Sequence, residues 1–124
     1  KNKIHNVKYL GLVSFQKLKK LYKESYCVLC PAIYESSSLT LLEAIASKTS
    51  VIASDNKPNI EKKKVFKINI FKKNDLENLV GVLKKVCKRK NFIKKQVKFN
   101  SIRIKNFDWN IISQQYLKVI LKIL

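Results

Sequence analysis

Glu35 and Glu43 stand on either side of a loop-to-helix junction, with seven residues between them. The intervening Ser36-Ser37-Ser38 run is polar and small, and Leu39-Thr40-Leu41-Leu42 opens a Leu/Ala-rich helix. A helix N-terminus presents unpaired backbone N–H groups and the positive end of the helix dipole. Small loop residues let a phosphate approach those groups closely. Carboxylates suit a different task, accepting hydrogen bonds from sugar hydroxyls. The two together form a constellation able to hold a sugar nucleotide. A plainer reading of the same residues stands beside it. Thr40-Leu41-Leu42-Glu43 matches the capping-box pattern, in which Glu43 serves only its own helix. Glu35 then is an ordinary solvated loop acid.

The elements that must position these residues follow from periodicity. Val7 to Gly11 reads as a short strand, and Ser14 as the N-cap of a helix over about Phe15–Glu24 carrying Leu18, Leu21 and Tyr22 on one face. Tyr26 to Cys30 is a continuous apolar run, which predicts a strand buried on both faces and ended by Pro31. Leu39 to about Ser47 is apolar almost all round and predicts a buried helix. Ser50–Ser54 predicts the next buried strand, Asp55–Lys64 a polar loop around Pro58, and Val65–Ile70 an edge strand. Asn74-Asp75-Leu76-Glu77 caps a long helix, with Glu77 at its third position and Leu76, Leu79, Val80, Leu83, Val86 and Cys87 as its buried stripe. A basic helix over about Phe92–Lys105 follows. A terminal helix over about 109–123 is introduced by Trp109 and packs through Ile112, Tyr116, Val119, Ile120 and Ile123. Strands alternating with helices predict an α/β fold with a parallel sheet.

The longer pattern resembles the signature of retaining family-four glycosyltransferases of the GT-B fold. Glu35, seven residues, Glu43-Ala44 and a Val51-Ile52-Ala53-Ser54 strand carry the resemblance. Asn6-Val7-Lys8-Tyr9-Leu10-Gly11, Tyr26-Cys27-Val28-Leu29-Cys30-Pro31 and Phe107-Asp108-Trp109 agree with it, so it covers nearly the whole chain. It implies a Rossmann-like parallel sheet with flanking helices, a single partial C-terminal donor-binding domain over residues 1–124. It also implies a nucleotide-diphosphate sugar donor and retaining transfer of a hexosyl unit to a glycan or lipid-linked acceptor. By position, Glu35 meets the transferred sugar, and Ser38 belongs to the donor loop. Leu39 and Thr40 offer backbone N–H groups to the diphosphate, Glu43 holds the ribose and Val13 lies near the base. Neither metal nor cofactor is implied. The family usually carries glycine where this chain has Ser36 and Ser38, and Gly and Pro where it has Lys48 and Ser50. A backbone that needs positive φ at such places is strained by a side chain. Four strands of the family's sheet are supplied, and two central ones, together with the acceptor domain on the N-terminal side, are not. The chain begins at Lys1, so it is expected either to be a piece of something longer or to slide Val7–Gly11 in beside Tyr26–Cys30.

Composition bounds the alternatives. The 124 residues are 46% hydrophobic, enough for one small domain with a core. No apolar run reaches the length of a bilayer span. Twenty-seven basic against 8 acidic residues leave a net charge of +19, which bears on non-specific partners rather than on fold. Contact with an anionic membrane, on the cytoplasmic face, is one expectation. A recognisable nucleic-acid motif is lacking. Cys27, Cys30 and Cys87 point to a reducing compartment. Residues three apart in a strand face opposite ways, so Cys27 and Cys30 do not chelate one ion. His5, the sole histidine, reads as a surface residue. Two further functions stay open: a non-catalytic remnant of such an enzyme, and a basic module that binds anionic surfaces.

Overall fold

Strand β2, Ser50–Ser54, is the centre of the molecule, and all five of its residues are buried. The computed structural model describes residues 6–124; His5 lies outside them. β2 pairs in parallel with β1, Cys27–Cys30, on one side and with β3, Asn69–Phe71, on the other. Cys27 stands opposite Ser50 and Cys30 opposite Ala53; Ile52 stands opposite Asn69 and Ser54 opposite Phe71. Helices intervene in the order α1 (Phe15–Glu24), α2 (Leu39–Ala46), α3 (Lys57–Lys63), α4 (Leu76–Lys88), α5 (Lys90–Arg103) and α6 (Trp109–Ile123), with a 3-10 turn at Ile104–Phe107 before α6. The fold is α/β and Rossmann-like, a three-stranded parallel sheet flanked by helices.

The pleat of β2 divides the core. Val51 and Ala53 face a cluster of Leu41, Ala44, Ile45, Phe66 and Ile68, while Ile52 faces Phe71, Val86 and Ile93. Cys30 packs with the first cluster and Cys27 with the second, so the two thiols are on opposite faces of β1. Helix α2 is the most deeply held helix, with Leu41 and Ala44 at zero exposure. An apolar surface on nearly every side leaves it no other place.

Several expectations are corrected. Val7–Gly11 forms no strand and does not pair with β1. Among the described residues no strand pairs with the far edge of β1, and Leu29 keeps 40% exposure where burial on both faces was expected. The segment taken as a loop, Asp55–Lys64, contains α3: Asn56 caps it by accepting the N–H of Asn59, and Pro58 sits in its first turn, where a missing N–H does no harm. β3 is shorter and later than Val65–Ile70. Helix α4 is capped by Asp75, which accepts from Asn78 N–H at 2.9 Å, so Glu77 is its second residue rather than its third. Leu79, Val82, Leu83 and Val86 turn inward, whereas Leu76 and Cys87 are exposed. Helix α6 forms as expected but buries none of its residues. Tyr116, Val119, Ile120 and Ile123 are all more than half exposed, and only Ile112 of the expected stripe is partly covered. An apolar period predicts that a helix has a face to cover; it does not supply the cover.

Candidate functional site

The loop from Pro31 to Ser38 leaves the C-terminal end of β1 and delivers the chain to α2. Glu35 folds this loop onto itself. One of its carboxylate oxygens accepts the N–H of Ser36 at 3.0 Å and that of Ser37 at 3.4 Å. The Cys30 thiol, last in β1, is pushed up to about 11, first by burial and then by the negative charge of Glu35.

Ser38 closes the loop in a left-handed conformation, φ 52° and ψ 47°. That region is unfavourable for any residue with a Cβ. The site holds it there because Ser38 is buried and its hydroxyl donates to Asn59 Oδ1 at 2.6 Å. Asn59 is itself fixed: its Nδ2 donates to the Ser54 carbonyl at 3.0 Å and its N–H to Asn56 Oδ1 at 3.0 Å. Asn56 and Ser54 both donate to the Ala32 carbonyl. A closed polar cluster of Ser38, Ser54, Asn56 and Asn59 thus ties the start of α2 to the β2–α3 junction. The Ser38 hydroxyl is spent inside the protein. No side chain caps α2, so the backbone N–H groups of Leu39 and Thr40 are left for another acceptor.

Glu43 projects from the fifth helical position, counting from N-cap Ser38. A capping box needs the acid at the third, so that reading of Thr40 to Glu43 is set aside. Instead Glu43 accepts from the Tyr22 hydroxyl at 3.1 Å. Burial, followed by this bond and the charge of Glu43, pushes the Tyr22 phenol up to about 12. The Tyr22 carbonyl accepts from Thr49 Oγ1 at 2.6 Å, which pins the other end of the residue. Glu43 faces two grooves. One, of about 450 Å³, runs along α1 past Phe15, Leu18 and Tyr22. The other, of about 1000 Å³, runs past Ser37, Leu39 and Lys62 to Trp109.

The structure therefore gathers Ser37, Leu39 and Glu43 along one groove. Glu35 lines neither groove; its negative charge bears on Cys30 at the end of β1. Glu35 lies in the loop that leaves the C-terminal end of β1, the end at which open α/β sheets bind ligands, while Glu43 lies in the second half of α2. Val13 is half-buried next to the α1 cap, Ser14, and lines neither groove. Tyr22, Asn56 and Asn59 were missed as site-building residues. The Asn56-Lys57-Pro58 sequence was the available signal for the last two, as a helix start; Tyr22 gave none beyond its place on an apolar face. Among the described residues no group of three or more His, Cys, Asp and Glu could hold a metal ion.

The three-stranded parallel sheet flanked by helices is consistent with a Rossmann-like C-terminal domain of a GT-B glycosyltransferase. Sequence comparison agrees on the class. The profile of the family described as "Glycosyl transferases group 1" matches residues 1–103, and the chain belongs to that family. It is similar to an uncharacterized glycosyltransferase of Methanocaldococcus jannaschii, 44% identical over 50 residues, which are 40% of this chain and 13% of that protein. It is also similar to the O-antigen chain mannosyltransferase RfbU of Salmonella typhimurium, 45% identical over 49 residues, 40% of this chain and 14% of RfbU. The matched segments thus span less than a sixth of either relative's length.

Proposed function

We propose that the chain is the donor-binding portion of a retaining glycosyltransferase that takes a hexosyl unit from a nucleotide-diphosphate sugar to a glycan or lipid-linked acceptor, as in polysaccharide or lipopolysaccharide assembly. The observation that carries the reading is the start of α2: an uncapped helix N-terminus locked in place by Ser38 and Asn59, with Glu43 open to solvent grooves beside it. In this reading Leu39 and Thr40 donate backbone N–H groups to the diphosphate, and the left-handed Ser38 aims them. Glu43 accepts from ribose hydroxyls with Tyr22 holding its carboxylate, Glu35 meets the transferred sugar, and Val13 borders the base. The +19 charge supports a peripheral place on an anionic membrane at its cytoplasmic face. Kinship to RfbU supports a glycan acceptor.

The test is Glu43→Gln in the intact enzyme, reading nucleotide affinity and melting temperature together. Glutamine still accepts from Tyr22, so the melting temperature should hardly move. Loss of charge-assisted hydrogen bonds to ribose should weaken binding by about 1.5–3 kcal/mol. Unchanged affinity would remove Glu43 from the site.

A further inference from the structure

From Asn78 to Phe107 the chain carries no acidic residue, while Lys84, Lys85, Lys88, Arg89, Lys90 and four further lysines and one arginine fall within it. The structure organises part of this run. Lys90, Lys94 and Lys98 recur every fourth residue along α5 and share one side of it. They border a groove of about 550 Å³ at the N-terminal ends of β1 and β2, the opposite end of the sheet from Glu35 and Ser38. Lys48, in a left-handed turn at φ 61°, borders it from the other side. No carboxylate lines the groove. Among the described residues the one ion pair is Lys20–Glu24 on α1, so these four ammonium groups have no acidic partner. The floor is apolar, made by Ile93 and Val97. Ile102, 62% exposed, lies one turn beyond Lys98 and extends the ladder's side of α5 with an apolar residue.

We infer that this lysine-bordered groove and the exposed side of α5 form a docking surface for an anionic phospholipid membrane, the lysines meeting headgroup phosphates and Ile102 entering the acyl boundary. Charge complementarity chooses an anionic partner. The apolar floor and the exposed Ile102 beside it choose lipid over nucleic acid, which would need polar groups for its base edges or an array of aromatic faces. Lysines near an anionic leaflet act additively, and long stems let their ammonium groups reach the phosphates while covering apolar surface. The inference rests on the peripheral reading above and is independent of the donor site.

The experiment compares sedimentation of the chain with vesicles of phosphatidylcholine, alone and containing phosphatidylglycerol. Four proteins are measured: wild type, Lys90→Gln/Lys94→Gln/Lys98→Gln, its charge-keeping counterpart with arginine at the same three positions, and a control of equal charge loss, Lys57→Gln/Lys63→Gln/Lys64→Gln on and beside α3. Wild type should bind the anionic vesicles and release them at high salt. The α5 variant should partition on the order of 100-fold more weakly, with the control close to wild type. Lys90→Arg/Lys94→Arg/Lys98→Arg should bind like wild type, which excludes misfolding as the cause. No binding by wild type overturns the peripheral reading and this surface together. Equal loss in the α5 variant and the control leaves only diffuse attraction and overturns the surface alone. Loss of binding to random duplex DNA with vesicle binding unchanged would make the groove a nucleic-acid surface and overturn it as well.

Discussion

Tyr22 is where one residue couples stability to the site. Its hydroxyl sits on Glu43 and its carbonyl on Thr49, so a single residue ties α1 to α2 and to the turn before β2. In the fold its proton is held to about pH 12, against an ordinary value of 10. Between those values the folded chain binds more protons than the unfolded one. The stability from this contact is therefore complete below pH 10 and is lost as pH rises through about 12. Tyr22→Phe removes the titrating group. The gap in melting temperature between wild type and Tyr22→Phe should thus narrow steadily over that alkaline window; a gap independent of pH would show that the contact does not titrate with folding. Cys30 and Cys27, on opposite faces of one short strand, show why a cysteine spacing must be read against its element: what would be a chelate on a turn is two separate thiols on a strand.

At the scale of elements, the entry to α2 carries opposing terms. Ser38 keeps a left-handed backbone that costs roughly 1–2 kcal/mol for a residue with a Cβ. It also donates a buried hydrogen bond, worth about 1 kcal/mol when made and about 1–3 kcal/mol in penalty when its acceptor is orphaned. Ser38→Ala keeps the strain and orphans Asn59, so it should destabilise by about 1–3 kcal/mol in urea unfolding. Ser38→Gly orphans Asn59 too but relieves the strain, and should fall about 1 kcal/mol less. Equal losses for the two would mean that the backbone is not strained there. The same two variants separate the roles of glycine and serine at this loop: one supplies freedom, the other a tether from α2 to α3.

The whole molecule leaves much of its apolar surface open. Among the described residues one edge of β1 has no partner, α6 is more than half exposed along most of its length, and the Glu43 grooves are open to solvent. Transfer of a sugar needs the acceptor aligned with the donor and water kept out. A helix N-terminus contributes only about half an elementary charge to a departing nucleotide diphosphate. We therefore expect these 124 residues, expressed by themselves, to turn over no donor when incubated with a panel of nucleotide sugars and lipid-linked acceptors. Product above the level of Glu35→Ala would show that they suffice.

Local rules settled a large part of this protein in advance. The apolar runs at Tyr26–Cys30 and Ser50–Ser54, the helix at Leu39 and the capped start of α4 were legible because each is decided by neighbours a few residues away: periodicity, an N-cap, a burst of β-branched residues. Glu35 and Glu43 stood out as candidates by spacing alone. Tertiary structure alone decided what those residues do to one another. Whether Val7–Gly11 pairs depends on a free strand edge and on a backbone elsewhere that meets it, which a run of five residues does not encode. Asp55–Lys64 looked like a loop because Pro58 was read as a breaker; Asn56 in front of it turns the same proline into a helix-starting residue. The left-handed Ser38 became tenable only when the chain folded back and placed Asn59 2.6 Å from its hydroxyl. Glu43 exchanged a helix cap for a tyrosine 21 residues earlier in the chain. Such contacts join segments far apart in sequence, and only packing of the helices on the sheet brings them within hydrogen-bonding distance.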